Sequence, residues 1–433
     1  MMIKIMFSIF LLSLTGCVSP TLNSIAPEKL PTPTSTPTVS VAPAVLRHFL
    51  YVGDTTSSAG AINRYSINDV SGALTNLGQT TGVFNNYFIT SSLDGKYIFT
   101  TGAGSELVNG VSEAYSRASS FLIDANTGNL TLINSVKMTT GTVNANPTQV
   151  TVHPSGKFLY VTDGRYQPLG GIFVLSISPT GVLSSVTSTT AGGLNYPHGI
   201  SFSANGKVAV ATNFAGYDPN TGTDRAGFGV GDTVSAFAVN QTTGYLTPAL
   251  GTGRYGAFPG TSANLGDPRY SVFDPNKNIV YVMDANSTPP RVSSWGFDSN
   301  TGSLTIIGSA RSTNAAGTGG WGINKTPNGK FIFTTVRNAK TVSTYDTTLS
   351  SNIPLFVSDV GTTGNRPCSI TVHPTSNFVY ITHQSSPDVN VFSYDPASGV
   401  LVPALTPTYM LPLAPGSGGA SGQTSTMVTT IGI

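Results

Sequence analysis

One six-residue phrase returns along the chain about every 55 residues, and it constrains the fold more than any other feature. It reads Asp94-Gly95-Lys96-Tyr97-Ile98-Phe99, Ser155-Gly156-Lys157-Phe158-Leu159-Tyr160, Asn205-Gly206-Lys207-Val208-Ala209-Val210, Asn276-Lys277-Asn278-Ile279-Val280-Tyr281, Asn328-Gly329-Lys330-Phe331-Ile332-Phe333 and Thr375-Ser376-Asn377-Phe378-Val379-Tyr380. A seventh copy, His48-Phe49-Leu50-Tyr51-Val52, follows Arg47. A second phrase alternates with it, a turn such as Asn126-Thr127-Gly128, Thr243-Gly244, Asn300-Thr301-Gly302 or Ser398-Gly399. Each repeat parses as four short strands, a and b around the Gly-Lys turn, c and d around the Thr-Gly turn. A repeat of this kind cannot bury its apolar faces alone, and seven of them in a ring make a seven-bladed β-propeller, an all-β fold. Blade one begins at its strand b. Its strand a is expected from the C-terminus, in Thr426-Met427-Val428-Thr429-Thr430-Ile431, which closes the ring into blade one.

Strand parity sorts the loops. Antiparallel a and b put the d-to-a and b-to-c connections on one face of the disc and the tight turns on the other. The long insertions, 103–117, 164–170, 214–231 and 252–266, all belong to the first face, where function is expected. Two columns of side chains meet there. Tyr87, Thr148, His198, Arg269, Trp321 and Cys368 open the strands a at the channel mouth, and they differ from blade to blade as a specific site would. Asp54, Gly102, Asp163, Asn213, Asp284, Val336 and His383 close the strands b. Short carboxylates and amides at strand ends usually cap their own turns, so the Asp and Asn members are read first as caps. His153 and His373, each followed by Pro in a tight turn, are read as turn residues, and Cys368 as a small buried side chain.

Residues 1–16 have Lys4, an apolar run from Ile5 to Leu14 and small residues after it, the pattern of a cleaved export signal. Leu14-Thr15-Gly16-Cys17 resembles the lipobox of bacterial lipoproteins, which implies acylation (palmitate among the acyl groups) at Cys17 and attachment to a membrane. Val18 after the cysteine implies the outer membrane and a cell-envelope location. Residues 17–45 are rich in Pro, Ser and Thr and read as a tether, with the propeller over 46–433. Across the chain, 21 Lys and Arg against 19 Asp and Glu, at 9% charged residues, exclude a nucleic-acid partner, because a phosphate-binding face needs clustered cations.

The repeats of the form Pro-x-x-x-x-x-His-Pro-x-Gly-Lys-Phe-x-Tyr-Val resemble the seven-bladed lactonase family, which includes propeller-type 6-phosphogluconolactonases and the fungal muconate cycloisomerase. The resemblance implies a catalytic histidine at His198 in Pro197-His198-Gly199 and an arginine at Arg269 in Pro268-Arg269-Tyr270, where the family has Pro-Arg-His. Ala285, after Asp284, stands where the family carries a glutamate. Arg337 follows strand b of blade six, where family members often place arginine. Cys368 stands where another often occurs, and Arg366 is close enough to substitute. A lactonase needs a cation for the developing oxyanion and a base for water. Arg269 and His198 fit those roles, and Asp284, if not a cap, would orient the histidine or act as the base.

Other motifs are weak. Gly317-Thr318-Gly319-Gly320-Trp321-Gly322 leads into a strand, so no dinucleotide cofactor is expected, and no other cofactor either. Asp218, Asn220 and Asp224 open like a calcium loop but lack its twelfth-position glutamate. Two readings stand. The first is a lipid-anchored propeller that binds a small molecule, glycan or protein at its loop face, with Tyr87, Thr148, Trp321, Arg337, Arg366 and His383 as ligand contacts. The alternative is a lactone hydrolase using His198 and Arg269.

Overall fold

The computed structural model describes residues 47–412, apart from 55–59, 84–85, 109–110, 139–145, 165–169, 192–193, 215–232, 250–253, 256–266, 286–288 and 312–318, and apart from some side chains beside those segments. Among the described residues, twenty-eight strands form seven antiparallel sheets, six of them built as a meander in sequence order from the inside outwards. Blade three runs Pro147–Val152, Phe158–Asp163, Gly171–Ile177 and Leu183–Thr189. In blade four the outer position is shared by Leu246–Pro248 and Arg254–Tyr255. Blade one has three strands among the described residues, His48–Asp54, Ala61–Ile67 and Leu74–Thr81. The strand expected over Thr426–Ile431 lies outside the described residues, as do the N-terminal segment with Cys17 and the calcium-like residues Asp218, Asn220 and Asp224.

The core is a ring of seven apolar seams, each shared by neighbouring blades. The alternating side chains of strands b and c face opposite seams, which is why these strands are apolar at nearly every position. The seventh seam joins the last blade to the first, with Leu50, Val52 and Tyr65 packed against Tyr380, Val389 and Val391.

The two repeated phrases meet across these seams. The Thr-Gly turn of one blade lies on the aromatic residue that opens strand b of the blade before it. A Cβ added at Gly72, Gly128, Gly181, Gly244 or Gly399 would stand 2.4–2.8 Å from Phe378, Phe49, Tyr97, Phe158 or Phe331 respectively. Each of these glycines has φ between 69° and 79°, so both the space and the backbone conformation demand glycine. The strand-b tyrosine adds a hydrogen bond to the same turn, as Tyr160 Oη donating to the Gly244 carbonyl at 2.6 Å. The His-Pro turns extend this seam stapling. His153 pairs Nε2 with the Gly206 carbonyl of the next blade at 2.8 Å and Nδ1 with Ser155. His373 accepts the Thr375 and Ser376 amides on Nδ1 and reaches Asp69 of blade one with Nε2 at 3.2 Å. His48, Asp69 and His373 bring ligand-type atoms within 4.8 Å of one another. However, a His373 ring that accepts two amides on Nδ1 carries its proton on Nε2, the atom a metal would need. This cluster is a staple across the last seam.

One insertion differs in form from a loop. Residues 103–117 continue strands b and c of blade two as a hairpin, paired from Ala103 with Ser116 out to Val108 with Val111.

Candidate active site

Each of the six described innermost strands, Asn86–Ser91, Pro147–Val152, Pro197–Phe202, Pro268–Phe273, Gly320–Lys325 and Pro367–Val372, breaks register at its start. In blade four Pro197 pairs with Asn213 and Gly199 with Thr212, which leaves His198 between them unpaired. Tyr87, Thr148 and Cys368 occupy the same bulge, and Arg269 and Trp321 lie in wider ones. Such a bulge re-aims one side chain at the mouth of the channel. The residue before the bulge strains to allow it: Tyr196, Asp267 and Arg366 have φ of 50°, 60° and 58°, with Gly319 at 92° in blade six. A left-handed non-glycine residue costs about 1–2 kcal/mol, a strain carried before strand a in three of the described blades.

Four side chains form a stacked ladder at this mouth. The Arg269 guanidinium lies 3.8 Å from the Phe214 ring centre and 4.3 Å from that of Trp321, and Arg337 lies 4.0 Å from Trp321. Asp267 approaches Arg269 at 3.9 Å. Arg366, exposed on the rim, adds a third cation to the field felt by Arg337. Burial, then Arg366 and Arg269, bring the Arg337 pKa down to about 10. Among the described residues, three guanidiniums against one carboxylate give this mouth a positive field, which favours anions.

His198 sits inside this ladder, 5% exposed. Its ring stands 4.9 Å from Tyr270 and 5.3 Å from Trp321, edge to face with both. It donates to the Arg269 backbone carbonyl, while Nδ1 is buried without a partner. Burial, with Arg269 and Arg337 nearby, holds its pKa well below the ordinary imidazole value. The ring is therefore neutral at neutral pH and keeps a lone pair on Nδ1. His153 and His373, by contrast, have both nitrogens engaged. A buried nitrogen without a partner carries a free-energy cost that a hydrogen-bond donor entering the site would recover.

The remaining predicted residues divide. Trp321 and Arg337 belong to the ladder. Thr148 donates its hydroxyl to the Pro197 carbonyl at 2.6 Å, a link between blades three and four. His383 is buried and holds Asp388 through Nδ1 at 3.3 Å. Asp284 is fully buried against Arg291 Nε, so its carboxylate faces a strand neighbour and does not orient His198. Cys368 is buried, and burial pushes its thiol up to about 11. The Tyr87 side chain lies outside the described residues.

A third column emerges that the sequence reading did not isolate. The residue just after strand b donates its amide to the carbonyl of the residue preceding strand a: Phe214 to Tyr196, Ala285 to Asp267, Arg337 to Gly319 and Gln384 to Arg366, at 2.9–3.1 Å. This bond fixes Phe214, Arg337 and Gln384 at equivalent places around the mouth. Counting one position past the Asp, Asn and His column would have found them. Below the mouth a cavity of about 490 Å³ runs between the innermost strands, lined by Tyr270, Trp321, Cys368 and Gln384 at one end and by Lys325 at the other.

Residues 49–410 match the family model described as Lactonase, 7-bladed beta-propeller. The chain is 22% identical over 366 residues to a 6-phosphogluconolactonase of Formosa agariphila, covering 81% of this chain and 94% of that protein. Among solved structures, the periplasmic gluconolactonase of Pseudomonas aeruginosa has a TM-score of 0.68 at 20% identity, covering 89% of this chain and 99% of its own. A protein from Lactobacillus plantarum has a TM-score of 0.67 at 18% identity, covering 88% and 99%. These structures share the fold.

Proposed function

Because the chain belongs to the seven-bladed β-propeller lactonase family, we propose that it is a lactone hydrolase, a reading preferred to the partner-binding module that the sequence alone favoured. The observation that carries this is the buried His198, whose Nδ1 has no partner, set among Arg269 and Arg337. The relatives are by name a 6-phosphogluconolactonase and a gluconolactonase, so the substrate class is a sugar-acid lactone.

In this mechanism the lactone carbonyl oxygen lies toward the guanidiniums, which stabilise the oxyanion as water adds to the carbonyl carbon. Nδ1 takes the proton from that water. Collapse of the tetrahedral intermediate breaks the ring C–O bond, and the proton passes from His198 to the departing ring oxygen. The product hydroxy acid then ionises and releases one proton to solution. Its carboxylate and the oxyanion before it both complement the three arginines. The family glutamate's place is taken by Ala285, which is buried, and Asp284 is engaged by Arg291, so His198 is the base.

The proposal includes attachment. Acylation at Cys17 and the Pro/Ser/Thr tether over 17–45 would hold the propeller at the cell envelope, on the outer membrane, where it would meet extracytoplasmic lactones. Proton release measured by pH-stat on glucono-1,5-lactone and related lactones tests the activity, beside His198→Ala and Arg269→Ala. Hydrolysis lost in both variants supports the reading. No release above buffer in the wild-type protein returns the chain to the binding-module reading.

A further inference from the structure

We infer that Gln384 selects hydroxylated ligands, accepting a hydroxyl hydrogen bond at the channel mouth beside the arginines. This rests on the hydrolase reading and gives it a substrate preference.

Gln384 lines the channel cavity, and its Oε1 is buried without a hydrogen-bond partner. A glutamine used for scaffold looks different in this fold. Gln149 lines the same cavity, but its Oε1 accepts the Ile200 amide of the next blade at 2.5 Å. Gln384 is held at the mouth by its backbone, through its own amide bonded to the Arg366 carbonyl at 2.9 Å. Its Oε1 is thus left for a donor that enters the cavity.

The neighbouring blade presents the opposite chemistry. Arg337 holds the equivalent position in the third column, and its Nε is also buried without a partner. Blades six and seven therefore offer a cationic donor and a neutral acceptor at equivalent positions of adjacent blades. A carboxylate or oxyanion satisfies the first, and a hydroxyl on the same small molecule satisfies the second. A polyhydroxylated lactone or its aldonic acid carries both groups, whereas an unsubstituted lactone leaves the Gln384 oxygen unpaired. A buried acceptor without a partner rejects the analogue that lacks the donor, so the site discriminates by hydroxylation.

The test compares kcat/KM for glucono-1,5-lactone and for δ-valerolactone, the same ring without hydroxyls. The wild-type protein is expected to prefer the hydroxylated lactone, and Gln384→Met to lower that preference about tenfold or more. Gln384→Glu keeps an acceptor and retains most of it. An unchanged preference in Gln384→Met overturns the inference while leaving the hydrolase reading intact. If the Met variant fails to fold, Gln384→Asn, which withdraws the amide by one methylene, is read in the same way. The affinities of gluconate and pentanoate, measured by calorimetry, separate the two readings. A wild-type protein that hydrolyses nothing yet prefers gluconate, with the preference lost in Gln384→Met, defeats the hydrolase reading and supports this one. A protein that does neither overturns both.

Discussion

Tyr380 of the last blade donates its hydroxyl to the carbonyl of Gly72 in the first at 3.3 Å. The same bond joins Tyr51 to Gly128 at 3.0 Å and Tyr160 to Gly244 at 2.6 Å, so the seam that closes the ring is built like those between blades one and two and between blades three and four. Closure thus has an interblade component independent of the strand expected from the C-terminus. Tyr380→Phe should destabilise the domain by about 1 kcal/mol, the usual net value of a buried hydrogen bond, and Tyr160→Phe by a similar amount. Thermal melts of the two variants check this. A neutral Tyr380→Phe beside a costly Tyr160→Phe would mean that the last seam relies on other contacts.

The turn glycines give a sharper contrast. Gly128 has φ of 69° and a Cβ there would meet the Phe49 ring at 2.7 Å, whereas Gly82 has φ of 75° with nothing within 4 Å. Gly82→Ala should cost about 1–2 kcal/mol, the backbone term alone. Gly128→Ala should cost more by at least about 1 kcal/mol, because an aromatic packed in a closed seam must shift. Urea midpoints for the two variants decide it, and equal costs would show that the Phe49 ring yields freely.

The blade repeat and the bulge positions at the start of the innermost strands were legible in the chain, and the reason is geometric. The turn between strands a and b pins register, so a fixed count back from it reaches the bulge in each of the six described innermost strands, His198 and Trp321 included. What lay hidden depends on pairs distant in sequence or on the fate of single atoms. That Asp284 is taken by Arg291, that the insertion after Gly102 is a hairpin, and that Gln384 keeps an unpaired oxygen follow from three-dimensional neighbours. Nor does spacing distinguish the engaged His153 and His373 from the half-engaged His198.

Acid should loosen the last seam. Burial, with His48 beside it, lowers the His373 pKa to about 4, against an ordinary value of 6.5 in the unfolded chain. Between those values the unfolded state binds more protons, so stability is full above about pH 6.5 and falls as pH drops through the window to about 4, by up to roughly 3 kcal/mol. Denaturation curves at pH 7.5 and 4.5 should show this loss. His373→Asn should be less stable at pH 7.5 yet lose less on acidification, and a slope equal to wild type would remove His373 as the source.

The two arginines that serve the oxyanion also set the state of His198. After burial, Arg269 and then Arg337 contribute to the lowering of its pKa, so each guanidinium removed relieves part of that repulsion. In Arg337→Met the His198 ring should titrate at higher pH than in wild type, by an amount that burial keeps short of the full return to 6.5. Histidine NMR titration reads this directly, with His153 as an internal reference that lies in a turn on the other face. Hydrolysis couples to the same equilibrium. Nδ1 must be unprotonated to accept the proton of water, so the acid limb of kcat/KM lies well below pH 6.5 in wild type and moves upward in Arg337→Met, while the maximal rate falls through loss of oxyanion stabilisation by about 2 kcal/mol or more. An acid limb that stays put while the rate falls would assign the essential base to a group other than His198.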